Sequence, residues 1–101
     1  MAKKAMEQLT EGMFYVLLAF RDGDKCGTDA AAFVKRRTHA RVELGPGTLY
    51  TILNKFEQEG YLLEIDVDGR KRTYRITPAG VGALSAELER MRQCLRDAEE
   101  G

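Results

Sequence analysis

Polar side chains between residues 50 and 58 recur at intervals that gather hydrogen-bonding groups on one side of a short helix. At about 100° per residue they fall opposite an apolar arc formed by Leu49, Ile52, Leu53 and Phe56. The polar arc carries hydroxyls, amides and one ammonium group and contains Tyr50, Thr51, Asn54, Lys55 and Gln58. Such groups can bond base edges and phosphate oxygens in nucleic acid. An ordinary amphipathic surface helix has the same pattern, so the arc alone leaves both interpretations open.

Glycine and proline set the limits of this helix. Pro46 suits the first helical turn, where its missing N–H has no intrahelical partner. Gly60 stands where a helix commonly ends in a left-handed residue. We therefore predict a helix from about Pro46 to Glu59.

A second helix is expected just before it. Thr28 or Asp29 can cap a helix through the apolar run 30–34, and the basic run 35–37 lies near its negative C-terminal end. Residues 38–44 then connect the two helices. Within this connection Val42 and Leu44 alternate around Glu43 as in a short strand, so we predict a strand there.

Residues 61–76 are predicted to form a β-hairpin. Apolar residues alternate with acids over 63–68, and Asp68-Gly69 is a two-residue turn signal. With that turn, Asp66 lies opposite Lys71 and neutralises part of its charge. Four basic residues cluster at the tip and in the return strand: Arg70, Lys71, Arg72 and Arg75. A helix followed directly by a basic-tipped hairpin is the order of a winged helix-turn-helix.

The sequence resembles the PadR family of transcriptional regulators over nearly the whole chain, from Leu9 to the final helix. The most specific parts of the resemblance are the strings Gly45-Pro46-Gly47-Thr48-Leu49-Tyr50 and Tyr74-Arg75-Ile76-Thr77, with Gly80 following. Residues 9–19 and 57–62 add to it. The chain departs from the family at Cys26-Gly27-Thr28-Asp29, where Gly-Tyr-Glu or Gly-Tyr-Asp is common, so an aromatic packing contact of the second helix is missing.

The resemblance implies an α+β, mostly α fold. Residues 1–77 would form a winged helix-turn-helix DNA-binding domain, and residues 78–101 would form a C-terminal dimerisation helix. The implied function is that of a sequence-specific DNA-binding transcriptional regulator, a repressor, that binds an inverted-repeat operator in double-stranded DNA as a homodimer. Some family members release DNA when a small molecule binds, but this sequence specifies no effector.

The resemblance also assigns roles to individual residues. Tyr50 would contact a phosphate, the polar residues at 48, 51, 54 and 55 would face the major groove, and residues 70–72 would form the wing. Basic residues before the recognition helix extend this surface. The expected DNA-binding set is Lys35, Arg41, Pro46, Thr48, Tyr50, Thr51, Asn54, Lys55, Arg70, Lys71 and Arg72.

The charge balance argues against nucleic acid, because 16 basic and 16 acidic residues give a net charge of zero. The distribution argues for it, since the windows 35–41 and 70–75 are basic, free of acids and flank the proposed recognition helix. A neutral chain should still bind non-specific DNA weakly. The alternative function is therefore a winged-helix protein-interaction module without DNA binding, which neutrality and Asp66 favour.

Apolar residues in the last part of the chain recur at alternating steps of three and four, as in the seam of a coiled coil. They are Val81, Leu84, Leu88, Met91, Leu95 and Ala98. A helix from about Pro78 to Ala98 is roughly 30 Å long, more than a domain of this size needs to cover its own core. We therefore predict a homodimer through Leu84, Leu88, Met91 and Leu95. The alternative is that the seam packs only on the N-terminal stripe of Met6, Leu9, Met13, Leu17 and Phe20.

The remaining reactive residues indicate no catalytic or metal chemistry. Cys26 and Cys94 lack metal-ligand spacing, and we expect two free thiols and no cofactor. No nucleophile has an evident base partner and no glycine-rich phosphate loop is present, so no enzymatic activity is expected. No run of residues reaches the apolar length of a membrane helix, and the N-terminus lacks the apolar run of a signal peptide. We expect a cytoplasmic protein without a membrane partner.

Overall fold

The computed structural model describes residues 8–100, which form four helices and three strands. In chain order they are α1 (Glu11–Arg21), β1 (Lys25–Cys26), α2 (Gly27–Arg37), α3 (Pro46–Gln58), β2 (Leu62–Asp68), β3 (Lys71–Ile76) and α4 (Pro78–Glu100). The strands form one antiparallel sheet in the order β1-β3-β2. Three helices, a hairpin and a long final helix make up the predicted mostly α winged helix-turn-helix.

The core lies where α1, α2 and α3 meet. Its most deeply buried side chains include Leu17, Phe20, Val34, Leu53 and Phe56. On α3 the four predicted apolar positions are all buried, while the polar arc is exposed. Helix α3 also ends where expected, since Gly60 follows it with a φ of 78°. The prediction for this helix is confirmed.

Helix α2 starts earlier than predicted. It begins at Gly27 with Cys26 as its N-cap, and Cys26 makes no side-chain capping hydrogen bond. Thr28 and Asp29 therefore lie within the first turn, and the prediction that one of them caps the helix is wrong. At the start of the helix Gly27 packs against α3, where a Cβ would lie 3.0 Å from Leu53 Cδ1. Glycine lets α2 approach α3 closely at this point.

The strand predicted at residues 42–44 does not form. The third strand of the sheet is β1, which pairs with residues 73 and 74 of β3. In the loop 38–45, the Val42 N–H donates instead to the Thr38 hydroxyl at 3.1 Å. The side chains of Val42 and Leu44 are partly buried against the core. The apolar alternation here reflects packing of a loop and not strand pairing.

The hairpin β2–β3, which we call the wing, forms as predicted, but its turn is displaced by one residue. Gly69 and Arg70 form the turn, and Asp68, not Asp66, is the cross-strand neighbour of Lys71 in the register. Gly69 has a φ of 62° and stands first in the turn, where positive φ favours glycine. The predicted pairing of Asp66 with Lys71 is therefore wrong. A bulge between residues 64 and 66 accommodates the extra residue.

Helix α4 is long, as predicted, and within residues 8–100 only its first half packs on the other elements. The Thr77 hydroxyl accepts a hydrogen bond from the Gly80 N–H at 3.0 Å and caps the helix. A Cβ at Gly80 would collide with the Tyr61 carbonyl oxygen, so the helix lies directly against the chain there. Leu84 and Glu87 are buried, whereas residues 92–100 are all exposed.

The predicted N-terminal stripe is largely part of the core. Met13, Leu17 and Phe20 of α1 are buried, and Leu9 is partly buried. Met6 lies outside the described residues. The stripe contacts α4, where Leu84 and Leu88 join the core, so the alternative of packing on this stripe describes the first half of the seam.

Candidate nucleic-acid interface

A cleft of about 670 Å³ lies between the N-terminal end of α2, the exposed face of α3 and the wing. Its α3 wall is formed by Tyr50, whose side chain is 45% exposed, and by Asn54. Residues 70–72 and Tyr74 form the wing side, and residues 26–29 form the α2 side. The cleft therefore brings together groups from three segments that are distant in sequence.

Local sequence explains how α3 presents its polar face. Gly45 is the N-cap and Pro46 occupies the first turn, so the helix begins without a side-chain cap. The side chains of Thr48, Asn54 and Lys55 are exposed and make no hydrogen bond or ion pair within residues 8–100. These groups are free to bond a ligand.

Thr51 differs from its neighbours on this face. Its hydroxyl donates to the Gly47 carbonyl oxygen at 2.9 Å. The hydroxyl proton is therefore used inside the helix, and the side chain offers an acceptor oxygen and a methyl group to a partner.

The wing tip carries cations without acidic partners. Arg70 and Lys71 are exposed, and neither lies within ion-pair distance of a carboxylate in the described part of the chain. Arg72 Nη1 is 3.8 Å from Glu64 Oε1, a loose ion pair. Arg70 and Lys71 are thus the charges most available to an anionic ligand.

Arg75 also lies in the wing, but its charge is paired with a carboxylate. Its Nη2 is 2.7 Å from Asp24 Oδ2, and its Nε donates to Oδ1 at 3.1 Å. This bidentate pair joins the β3 strand to the segment before β1 and holds the pKa of the Asp24 carboxyl below its ordinary value. Arg75 is therefore a structural tie.

The two basic residues predicted before α3 do not line the cleft. Lys35 Nζ is 3.7 Å from Glu43 Oε2. Arg41 is bound by Glu11 and Tyr15 of α1. The predicted residues therefore fall into three groups. Some line the cleft, some lie on the adjoining surface of α3, and Lys35 and Arg41 contact other residues of the chain.

Sequence reasoning missed the α2 wall of the cleft. Cys26, Gly27, Thr28 and Asp29 line it, with the Cys26 sulfur 3.2 Å from the Thr28 hydroxyl oxygen. The sequence did mark this segment, because residues 26–29 depart from the pattern of the family that the chain resembles. Tyr74 was also missed as a lining residue, and burial raises the pKa of its phenol above the ordinary value.

The arginines differ in whether a carboxylate lies near them. Of the ten arginines in the sequence, six lie within 4 Å of a described carboxylate: Arg41, Arg72, Arg75, Arg90, Arg92 and Arg96. Arg70 at the wing tip has no such partner among residues 8–100. Arg21, Arg36 and Arg37 also lack one, and the last two lie over the Phe33 ring. The acids thus neutralise mainly other parts of the molecule.

The predicted dimerisation residues differ in their accessibility. Leu84 is only 1% exposed and packs in the core of its own chain. Leu88 and Met91 are partly buried, and Leu95 is 59% exposed. Of the four, Leu95 offers the largest fraction of its surface to a partner.

The two cysteines are free thiols, as predicted, with Cys26 buried and Cys94 exposed. In the described residues, no helix is long and apolar enough to cross a membrane.

Comparison with known proteins decides the family. The sequence profile of the transcriptional regulator PadR-like family matches residues 16–86. The chain belongs to the PadR family. This family consists of transcriptional regulators, which confirms the expectation that the chain is not an enzyme.

Individual relatives agree with this assignment. The transcriptional regulator Rv3488 of Mycobacterium tuberculosis is 40% identical over 57 residues, which are 54% of this chain and 53% of that protein. The chain thus spans about half the length of this curated relative.

Solved structures share the PadR fold. A transcriptional regulator from Clostridium thermocellum superposes with a TM-score of 0.76 at 22% identity, covering 87% of this chain and 89% of that one. Bacillus subtilis PadR in complex with operator DNA gives a TM-score of 0.68 at 22% identity, covering 78% of this chain and 48% of that one. At this identity the likeness establishes the winged-helix fold.

Proposed function

We propose that this PadR-family regulator binds a specific inverted-repeat operator in double-stranded DNA as a homodimer and represses transcription there. The observation that carries the proposal is the cleft in which the exposed polar face of α3 meets wing-tip cations that have no carboxylate partner among the described residues. Bacillus subtilis PadR, which has the same fold, binds operator DNA. This activity would place the protein in the cytoplasm. We propose no effector.

The residues of α3 and of the wing would make different contacts with DNA. The α3 residues at 48, 51, 54 and 55 would read base edges, because hydroxyl, amide and ammonium groups match the donors and acceptors of the major groove. Tyr50, Arg70 and Lys71 would contact phosphates, which set position and most of the affinity. Pro46 would start the helix at the groove without itself reading a base. Arg72, loosely paired with Glu64, would contribute less.

A dimer is supported by the second half of α4. The helix is about 34 Å long, and its last nine residues are all exposed. Leu88, Met91 and Leu95 lie along one seam there and would pack against the same seam of a second copy. Dimerisation would present two recognition helices to two half-sites about 34 Å apart or a multiple of that. The division into residues 1–77 and 78–101 is then one of function, because Leu84 shares the core of the first unit.

Selection from a random duplex library with the purified protein tests the proposal. An enriched inverted repeat is expected. On the selected duplex, Tyr50→Phe should weaken binding by about fivefold, the value of one hydrogen bond. Arg70→Ala should make the negative slope of log K against log salt shallower by about 0.9, the value of one phosphate contact.

Arg21→Ala is the matched control, since it removes one exposed charge that has no carboxylate partner in residues 8–100 and does not line the cleft. It should leave the slope unchanged. A confirmed dimer that enriches no sequence would instead favour the protein-interaction alternative, which is consistent with the net charge of zero.

A further inference from the structure

Arg41 lies in the loop 38–45 that leads into the recognition helix, and its guanidinium contacts α1. Nη1 is 2.5 Å from Oε2 of Glu11, and Nη2 donates to the Tyr15 hydroxyl at 3.1 Å. The guanidinium carbon also lies 5.8 Å from the centre of the Tyr15 ring. The hydrogen bond to Glu11, with further contributions from Tyr15, raises the pKa of Arg41 above its ordinary value. Two of the five N–H donors of this guanidinium are engaged in this way, and its charge is already paired with a carboxylate.

The backbone just before Arg41 is in a costly conformation. His39 and Ala40 have φ values of 53° and 63°, in the left-handed region that residues with a Cβ seldom adopt. Such conformations persist where surrounding contacts hold them. Thr38 supplies one contact by accepting a hydrogen bond from the Val42 N–H at 3.1 Å. Arg41, the next residue after the strained pair, supplies another through α1.

The first turns of α1 contact both the loop and helix α4. On the loop side, Leu44 is so close to Gly12 that a Cβ on Gly12 would lie 3.3 Å from Leu44 Cδ2. On the other side, Leu9, two residues before α1, has its backbone N–H close enough to the Glu87 carboxylate of α4 to lower the pKa of that group. A continuous set of contacts therefore runs from α4 through α1 to the loop that ends at the start of α3.

We propose that Arg41 is a positioning residue for operator recognition and not a phosphate contact. By holding the loop 38–45 on α1, it sets the position of α3 relative to α4, the helix proposed to join the two copies. This inference rests on the proposed DNA-binding function. It gives Arg41 a role different from the one expected from its basic sequence window.

A positioning role and a phosphate contact lead to opposite results when Glu11 is neutralised. If Arg41 contacted phosphate, Glu11→Gln would release the guanidinium and remove a negative charge, so DNA affinity would rise or stay constant. If Arg41 positions α3 through Glu11, the same change lowers the affinity. Salt dependence separates the two roles again, because losing a phosphate contact lowers the slope of log K against log salt by about 0.9 and losing a positioning contact does not.

The experiment measures binding to the selected operator duplex over a series of salt concentrations. It compares the wild type, Arg41→Gln, Glu11→Gln and the double variant. Each single variant should bind about two- to fivefold more weakly at a given salt concentration, the range expected for an exposed ion pair. The double variant should lose no more than either single one, and all slopes should equal that of the wild type.

Two further variants serve as controls. Arg36→Gln removes the same charge from the same basic window, but this guanidinium lies over Phe33 without a carboxylate partner in residues 8–100. It should leave affinity within about 1.5-fold. Arg70→Gln at the wing tip should lower the slope. If Arg41→Gln does not fold, Tyr15→Phe, which removes only the 3.1 Å hydrogen bond, should reproduce a smaller loss with the wild-type slope.

Two results overturn the inference. One is that Arg41→Gln reduces the salt dependence of binding as much as Arg70→Gln does. The other is unchanged or stronger binding by Glu11→Gln. A wild type that selects no sequence refutes the proposed function and this inference with it, so the two failures are distinguishable by the wild-type result alone.

Discussion

Two glycines in the first turns of α4 should respond to alanine with opposite signs. At Gly80 a new Cβ would collide with the Tyr61 carbonyl oxygen and lie 2.8 Å from Ile76 Cγ1. At Gly82 a Cβ would meet nothing within 4 Å. The residues are two positions apart in one helix, so they share helix propensity and differ mainly in what the methyl group meets.

The magnitudes follow from two competing terms. Replacing glycine by alanine in a helix stabilises it by about 0.8–1.0 kcal/mol. Overpacking costs about 1–3 kcal/mol or more, and at Gly80 the nearest atom is a backbone oxygen that cannot rotate away. We expect Gly82→Ala to raise the free energy of unfolding by up to about 1 kcal/mol. Gly80→Ala should lower it by about 1–2 kcal/mol.

Urea and thermal unfolding at one protein concentration measure both changes, because the apparent stability of a dimer depends on concentration. The midpoint temperature should move by about 4–8 °C per kcal/mol for a domain of this size. If Gly80→Ala stabilised the protein as Gly82→Ala does, the close seating of α4 on residue 61 would be refuted.

Two further predictions concern α4. Arg90 and the Leu9 N–H hold the pKa of the buried Glu87 carboxyl below its ordinary value. Its stabilising effect is therefore present above the ordinary carboxyl pKa of about 4.3 and is lost as the pH falls through the lower folded pKa. Glu87→Gln should lower the free energy of unfolding by about 1–3 kcal/mol at pH 7, and the difference between variant and wild type should shrink below about pH 4; a pH-independent difference would contradict this. Leu95→Glu should weaken dimerisation at least tenfold, as measured by sedimentation. Leu63→Glu should leave it unchanged, although Leu63 is 58% exposed and Leu95 59%. Equal effects of the two changes would contradict a dimer formed through the seam of α4.

The recognition helix illustrates what local sequence can predict. Its limits follow from Pro46 and Gly60, and its buried face follows from the 3.6-residue period, because both depend on neighbours within a few positions. Helix α4 was predictable for the same reason. The wing was predictable as a hairpin, but not in register, since a bulge between residues 64 and 66 absorbs a one-residue shift that would otherwise turn the apolar side chains to the other face.

The errors have a common physical origin in contacts between distant residues. The start of α2 at Gly27 lies where this helix packs against Leu53 of α3, 26 positions along the chain. The third strand depends on which segment reaches β3, and β1 does so while the residues at 42–44 pack as a loop. Neither contact leaves a periodic mark in the sequence.

The sequence by itself determined the order of helices and hairpin, the polar face of α3 and the resemblance to the PadR family. These properties arise from local periodicity, turn chemistry and short strings of residues. Only the tertiary structure decided which charges are free. Arg70 and Arg41 stand in equally basic windows, yet the fold leaves Arg70 unpaired within the described chain and places Arg41 against Glu11, 30 positions away. Ion pairs between distant positions require the folded chain to bring them together, and so they distinguish a ligand-binding charge from a structural one.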